Sequence, residues 1–188
     1  LGTVLTIQRA HDLSRLTIHA PKTTSGLTPG ESVAINGVCL SAVRVERGQL
    51  TVEVIPETRR LTNLRHVVPG ARVNMARSLT LSDRLNGHLV LGHVDGTGRI
   101  VRRQQRPGDI SLQIQMARGL RRYLVPKGPV TIDGVSLTIG SALSATTCSV
   151  FLIPETMHRT TLGVRQVGDL VNIEVDYFAK LIAQFRDR

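Results

Sequence analysis

Apolar residues in this chain come in short runs that partly alternate with polar ones, as in SVAINGVCLSAVRV (32–45), QLTVEVI (49–55) and TCSVFLI (147–153). The runs are rich in β-branched residues, the pattern of half-buried strands. Gly and Pro punctuate them at short intervals. Many short strands close together predict a small closed barrel, which leaves no open sheet edge. Helical spacing is found in two places. MARGLRRYL (116–124) predicts a short helix before Val125-Pro126, and DYFAKLIAQFRDR (176–188) places Phe178, Leu181, Ile182 and Phe185 on one helical face. Asp176 is positioned to cap that last helix. So short a helix is marginal alone in water. Its apolar stripe must dock on its own domain or on the same helix of other subunits.

The strand pattern is written twice. INGVCLS (35–41) returns as IDGVSLT (132–138), and IPET (55–58) returns at 153–156. Gly70, followed by Val73-Asn74, matches Gly168, followed by Val171-Asn172, and LTPGESVAING (27–37) lies over LVPKGPVTIDG (124–134). Ordered matches at a nearly constant offset of 97–98 residues make the chain a tandem duplication of a unit of about 90 residues. The second copy opens with HLVLGHVDGTGRIV (88–101). Laying LGTVLTI (1–7) over DGTGRIV (95–101) leaves nothing opposite HLVLGHV, which predicts a further strand ahead of Leu1 in the natural protein.

Composition narrows the class. Aromatics make up 3% and Trp is absent, so the core must be Val, Leu and Ile. No apolar run approaches the 18 or so residues of a membrane span, and no signal-peptide pattern opens the chain. Two cysteines do not make a disulfide framework, so the reading is a reduced, cytoplasmic protein. The formal charge of +10, with basic stretches at Arg99–Arg106 and Arg118–Arg122, raises nucleic-acid binding as a rival. Base-stacking aromatics are not interleaved with these arginines, which counts against it. No Cys/His cluster has zinc spacing and no dinucleotide fingerprint is present, so no cofactor is called for.

INGVCLS/IDGVSLT, the paired IPET segments, GHLVLGHVDGTG (87–98) and VNIEVD (171–176), together and in order, resemble the riboflavin synthase family of two-barrel lumazine-binding proteins. The resemblance spans essentially the whole chain. It implies an all-β fold: two similar six-stranded antiparallel barrels, at 1–86 and 87–176, and a C-terminal oligomerisation helix at 177–188. It implies a homotrimer, with lumazine synthase as a candidate partner, and neither membrane nor nucleic acid. The implied reaction is a dismutation of two molecules of 6,7-dimethyl-8-ribityllumazine. One gives a four-carbon unit to the other, yielding riboflavin and 5-amino-6-ribitylaminopyrimidinedione. The duplication fits: one substrate is used twice, in opposite roles. A non-catalytic lumazine- or flavin-binding antenna protein of the same fold is the alternative.

The resemblance nominates Cys39-Leu40-Ser41, with Ser32 and Glu53-Val54-Ile55-Pro56-Glu57-Thr58, for the first barrel's substrate site. For the second it nominates Lys127, Ser136-Leu137-Thr138 and Ile153-Pro154-Glu155-Thr156-Met157-His158, with Gly92-His93-Val94 as a further substrate segment. His93, Lys127, Ser136, Thr138, Asp176 and Cys39 are its candidates for chemistry. Each has a plainer reading. A free Cys is usually a buried hydrophobe, a lone Lys a solvated charge, Asp176 a helix cap. Ser136 and Thr138 are alternate residues of one strand and share a face. Lys127 stands where the first copy has Gly30. Asn36 and Asp133, each before Gly, read as turn residues, and His88 as structural support. Ala76 and Ser78 stand opposite Glu174 and Asp176, a departure, since many relatives keep Glu at the first of these places. Ser41 stands where Thr is commoner.

Overall fold

The computed structural model describes residues 1–85 and 87–186; Asn86, the last residue of the expected first domain, and Asp187 and Arg188 of the expected helix lie outside it. The first repeat folds as β1 (Gly2–Arg9), β2 (Ser14–His19), α1 (Pro21–Thr24), β3 (Ser32–Ile35), β4 (Val38–Glu46), β5 (Gln49–Val54), α2 (Pro56–Leu61), β6 (Arg72–Val73) and β7 (Met75–Arg77). The second has β8 (Gly96–Arg106), β9 (Asp109–Gln115), β10 (Pro129–Ile132), β11 (Val135–Leu143), β12 (Thr147–Leu152), α3 (Pro154–Arg159), β13 (Leu170–Val175) and α4 (Tyr177–Arg186). All pairings are antiparallel. The second repeat closes as β10-β11-β12-β9-β8-β13, with β13 returning to β10. The first has the same order, but its last strand is interrupted at Asn74: β6 pairs with β1 and β7 with β3. The expected six-strand barrel is therefore present with one strand in two pieces. No helix among the described residues is long and apolar enough to cross a membrane.

Each barrel is filled as the composition requires. Val33, Ile35, Leu50, Val52 and Val73 fill one, and Ile100, Leu112, Ile132, Val150 and Ile173 fill the other. Alternation sends every second strand residue inward, and each such side chain contributes about 1.5–3 kcal/mol on burial.

Two expectations need correction. The strand runs read over 49–55 and 147–153 stop one residue early: β5 ends at Val54 and β12 at Leu152, and the Pro of each IPET opens a helical turn, α2 and α3. Pro fits the first helical position because its missing N–H has no partner there. The expected short helix within 116–124 is present, as a 3₁₀ helix at Arg118–Tyr123. The repeats also align differently at the start. Val4 N–H bonds Ala71 O as Ile100 N–H bonds Asp169 O, so Gly2-Thr3-Val4 corresponds to Gly98-Arg99-Ile100 and not to residues 96–98.

Asn36-Gly37 and Asp133-Gly134 are two-residue hairpin turns with left-handed φ throughout (46° and 74°, 47° and 80°). They do more than turn. The two hairpins touch back to back across an internal two-fold: a Cβ on Gly37 would lie 2.5 Å from Gly134 N, and one on Gly134 2.7 Å from Gly37 N. Around them the two repeats exchange equivalent hydrogen bonds. Asn74 Nδ2 donates to Asp133 O and Asn172 Nδ2 to Asn36 O, both at 2.8 Å. Asn63 N–H donates to Asn172 Oδ1 at 2.7 Å and Thr161 N–H to Asn74 Oδ1 at 2.8 Å. All six of these side chains are buried. Thr161 Oγ1 has no partner among the described residues, but the paired amides and carbonyls fix one relative placement of the barrels, because a slip would leave those buried groups unpaired as well.

Candidate functional site

The strand β4 sends Val38 and Leu40 into the first barrel and leaves Cys39 and Ser41 on the opposite face. Cys39 is free and half-buried. With Val38, Glu57, Thr58, Gly92 and His93 it lines a cavity of about 200 Å³. Residues 92–94 precede the second barrel, yet they lie on the first. Cys39 N–H donates to Gly92 O at 2.9 Å, and a Cβ on Gly92 would come within 2.7 Å of the Cys39 Cβ. The Glu174 carboxylate holds this segment from behind, accepting from Leu91 N–H at 2.9 Å and Gly92 N–H at 3.1 Å. The expectation that His93 works with Ser136, Thr138 and Lys127 is thus corrected: it belongs to the Cys39 pocket.

On β11 Ser136 and Thr138 share an exposed face while Leu137 points inward. Ser136 Oγ lies 2.8 Å from His88 Nδ1, and Thr131 Oγ1 lies 3.0 Å from His88 Nε2. Burial holds His88 below its ordinary pKa, against the opposing pull of Asp176 and Glu174. Burial thus favours the neutral imidazole, which between these two hydroxyls donates through one nitrogen and accepts through the other. Ser136 also borders a cavity of about 290 Å³ with Leu1, Met75, Arg159 and Thr160, the second-barrel counterpart of the Cys39 pocket. A larger space of about 500 Å³, walled by Leu85 and the 88–92 segment, has both Cys39 and Ser136 in its lining.

Lys127 is exposed at φ 64°, where Gly30 in the first repeat has φ 93°. A left-handed non-glycine residue is strained, so Lys127 is held there against its own preference. Its N–H donates to Ile139 O at 2.9 Å, beside Thr138. Asp176 caps α4, accepting from Phe178 N–H at 2.7 Å. Ser32 stands opposite Ser41 in register. Several nominated carboxylates are already engaged by arginines: Glu53 by Arg15, Glu57 by Arg60, which keeps its carboxyl below the usual range, and Glu155 by Arg159. Ile55, Pro56, Ile153, Pro154 and His158 are exposed around the turns, Thr58, Thr156 and Met157 half-buried, and Val54 is in the core. Ala76 offers no counterpart to the Glu174 anchor, and Ser78 Oγ donates to Ser32 O at 3.3 Å.

The lumazine binding domain matches this chain twice, over residues 1–78 and 91–176. The riboflavin synthase of Mycobacterium tuberculosis (strain H37Rv) is 46% identical over 175 residues, 91% of this chain and 87% of that protein. That of Bacillus subtilis is 37% identical over 184 residues, 98% of this chain and 85% of that one. The chain belongs to the riboflavin synthase family. Among solved structures, LumP complexed with riboflavin superposes with a TM-score of 0.86 over 93% of this chain and 94% of its own, at 20% identity, a likeness of fold.

Within that family frame, His88, Thr131 and Glu174 stand out as site-building residues that the sequence reading did not place there. The five-residue spacing of His88 and His93 was visible, but their partners lie on opposite barrels. In the sequence Glu174 stands out only by its difference from Ala76.

Proposed function

We propose that this chain is a riboflavin synthase that binds two molecules of 6,7-dimethyl-8-ribityllumazine. It transfers a four-carbon unit between them and releases riboflavin and 5-amino-6-ribitylaminopyrimidinedione. The observation that carries the reading is the doubled pocket wall: Cys39-Leu40-Ser41 and Ser136-Leu137-Thr138 occupy equivalent strands with different polar groups. Two substrates of one structure and opposite roles need such a pair. The atoms of two lumazines equal those of the two products, so no oxidant or reductant enters. The 7-methyl group of such a ring is acidic enough for a mild base. The main task is to hold two flat rings in register, which positioning can make worth about 7–11 kcal/mol.

In this reading Ser136 and Thr138 hold one lumazine on β11, and Lys127 faces negative charge that develops on it. Neutral His88 behind the Ser136 hydroxyl gives a route for the proton. Cys39, His93 and the backbone around Glu57-Thr58 hold the other lumazine. A homotrimer and a cytoplasmic location go with the reading. Phe178, Ile182 and Phe185 are 60%, 67% and 72% exposed along one face of α4, which supports contact with further copies. The paired substrates would then lie between the first barrel of one subunit and the second barrel of another.

The test follows riboflavin absorbance during incubation with the lumazine, for the protein as it stands and for Ser136→Ala and Lys127→Ala. Removing one such group should lower kcat about 100-fold, with lumazine still bound at the first barrel. Unchanged rates in both variants would remove the chemistry from β11. Tight binding without turnover by the unaltered protein would favour an antenna role.

A further inference from the structure

Away from both lumazine pockets, a cleft of about 510 Å³ runs along the internal two-fold between the barrels. None of its lining residues is among the candidate substrate residues. Equivalent positions of the two repeats both line it: Val67 with Arg165, Ala71 with Asp169, Arg72 with Leu170. Its arginines come from both barrels, Arg65 and Arg72 from the first, Arg99 and Arg165 from the second, with His66 beside Arg65. We propose that this cleft binds a phosphate-bearing anion of pyrophosphate size, clamped between the two barrels.

The fold does not require this charge. At the equivalent places the other repeat has Gly163 for Arg65, Val164 for His66, Leu170 for Arg72, Thr3 for Arg99 and Val67 for Arg165. Five uncharged residues satisfy the same architecture. Nor is the charge balanced. Arg165 donates to Asp133 Oδ2 at 3.1 Å, and its buried Nε has no partner among the described residues. Arg99 donates to the carbonyl of Gly168 at 2.6 Å, and Arg65 to His66 Nε2 at 2.8 Å and Arg60 O at 3.3 Å. Asp169, the lining carboxylate, accepts from Gln166 N–H at 2.9 Å. Four guanidinium groups thus meet two carboxylates, one of them behind the wall. Like charges held in a cleft repel, and an anion relieves that. Guanidinium forks suit phosphate oxygens bidentately.

The test titrates the whole protein with inorganic pyrophosphate at constant ionic strength, read by calorimetry and by thermal unfolding. The comparison is Arg72→Leu/Arg99→Thr, which borrows the other repeat's residues and so keeps the fold. We expect saturable binding and a rise in Tm. Affinity should fall about tenfold for each guanidinium removed, with riboflavin formation unchanged. No saturable binding, equal binding by the double variant, or a single-stranded oligonucleotide outcompeting pyrophosphate would overturn the proposal.

Discussion

Asp133 and Arg165 provide a sharp energetic test, because the molecule contains its own control. The first repeat has Asn36 and Val67 at the equivalent places. Asp133 is fully buried, and burial raises its pKa from 3.8 to about 6, against the pull of Arg165 and the hydrogen bonds from Asn172 and Asn63. A carboxyl with a raised folded-state pKa binds its proton more tightly when folded. Its contribution to stability is therefore greatest below about pH 4, declines as pH rises to 6, and is then constant. The loss is about 3 kcal/mol. Arg165→Val leaves a buried carboxylate without its partner and should cost about 3–5 kcal/mol at pH 8, and much less at pH 4. Asp133→Asn should remove the pH-dependent loss. It keeps an acceptor for Asn172 N–H and Asn63 Nδ2 and leaves Arg165, whose side chain is 24% exposed, able to turn to solvent. The double variant reproduces the first repeat's pair and should be at least as stable as the parent at pH 8. Denaturant unfolding of the four proteins at pH 5 and 8 gives the cycle. Single costs that add in the double variant, or an Arg165→Val cost independent of pH, would refute the reasoning.

Other expectations concern single positions. Gly37→Ala places a methyl group against Gly134 at a left-handed φ and should destabilise by about 3 kcal/mol. Gly30→Ala, with nothing within 4 Å of its Cβ, should cost only the backbone strain of about 1 kcal/mol; denaturant midpoints compare them. Lys127→Gly should leave stability unchanged or raise it by up to about 1 kcal/mol while riboflavin formation falls, as thermal unfolding and turnover would show. Glu174→Ala frees two N–H groups behind His93, the buried one of Gly92 and the partly buried one of Leu91, and should raise the lumazine KM about tenfold, read from steady-state rates.

The sequence showed the duplication, the all-β class, the Val/Leu/Ile core and the capped C-terminal helix, because period-two patterning and Gly/Pro punctuation are local signals. It located Cys39 and Ser136 on equivalent strands for the same reason. Other features depend on contacts between distant segments. Asn36 and Asp133 read as turn residues, which they are. Their second role, joining the barrels, rests on Asn74, Asn172 and Asn63, which lie 27–136 residues from the groups they bond. The place of His93 beside Cys39 is not legible in the sequence, because its segment crosses over to the first barrel, a path that only the hydrogen bonds to Cys39 and Glu174 define. The helical turns after each Ile-Pro carry a weak local signal, a single Pro at a helix start set in β-rich surroundings. The two-residue misalignment of the repeats' first strands arose because Gly-Thr matched by identity, whereas strand register put Gly2 opposite Gly98.

The most direct measurement is the carbon balance of the reaction. Purified protein is incubated with 6,7-dimethyl-8-ribityllumazine and no other reactant, and all three species are quantified by chromatography. One riboflavin and one 5-amino-6-ribitylaminopyrimidinedione are expected for every two lumazines consumed. Lumazine bound and recovered intact, or riboflavin formed without its pyrimidinedione partner, would contradict it.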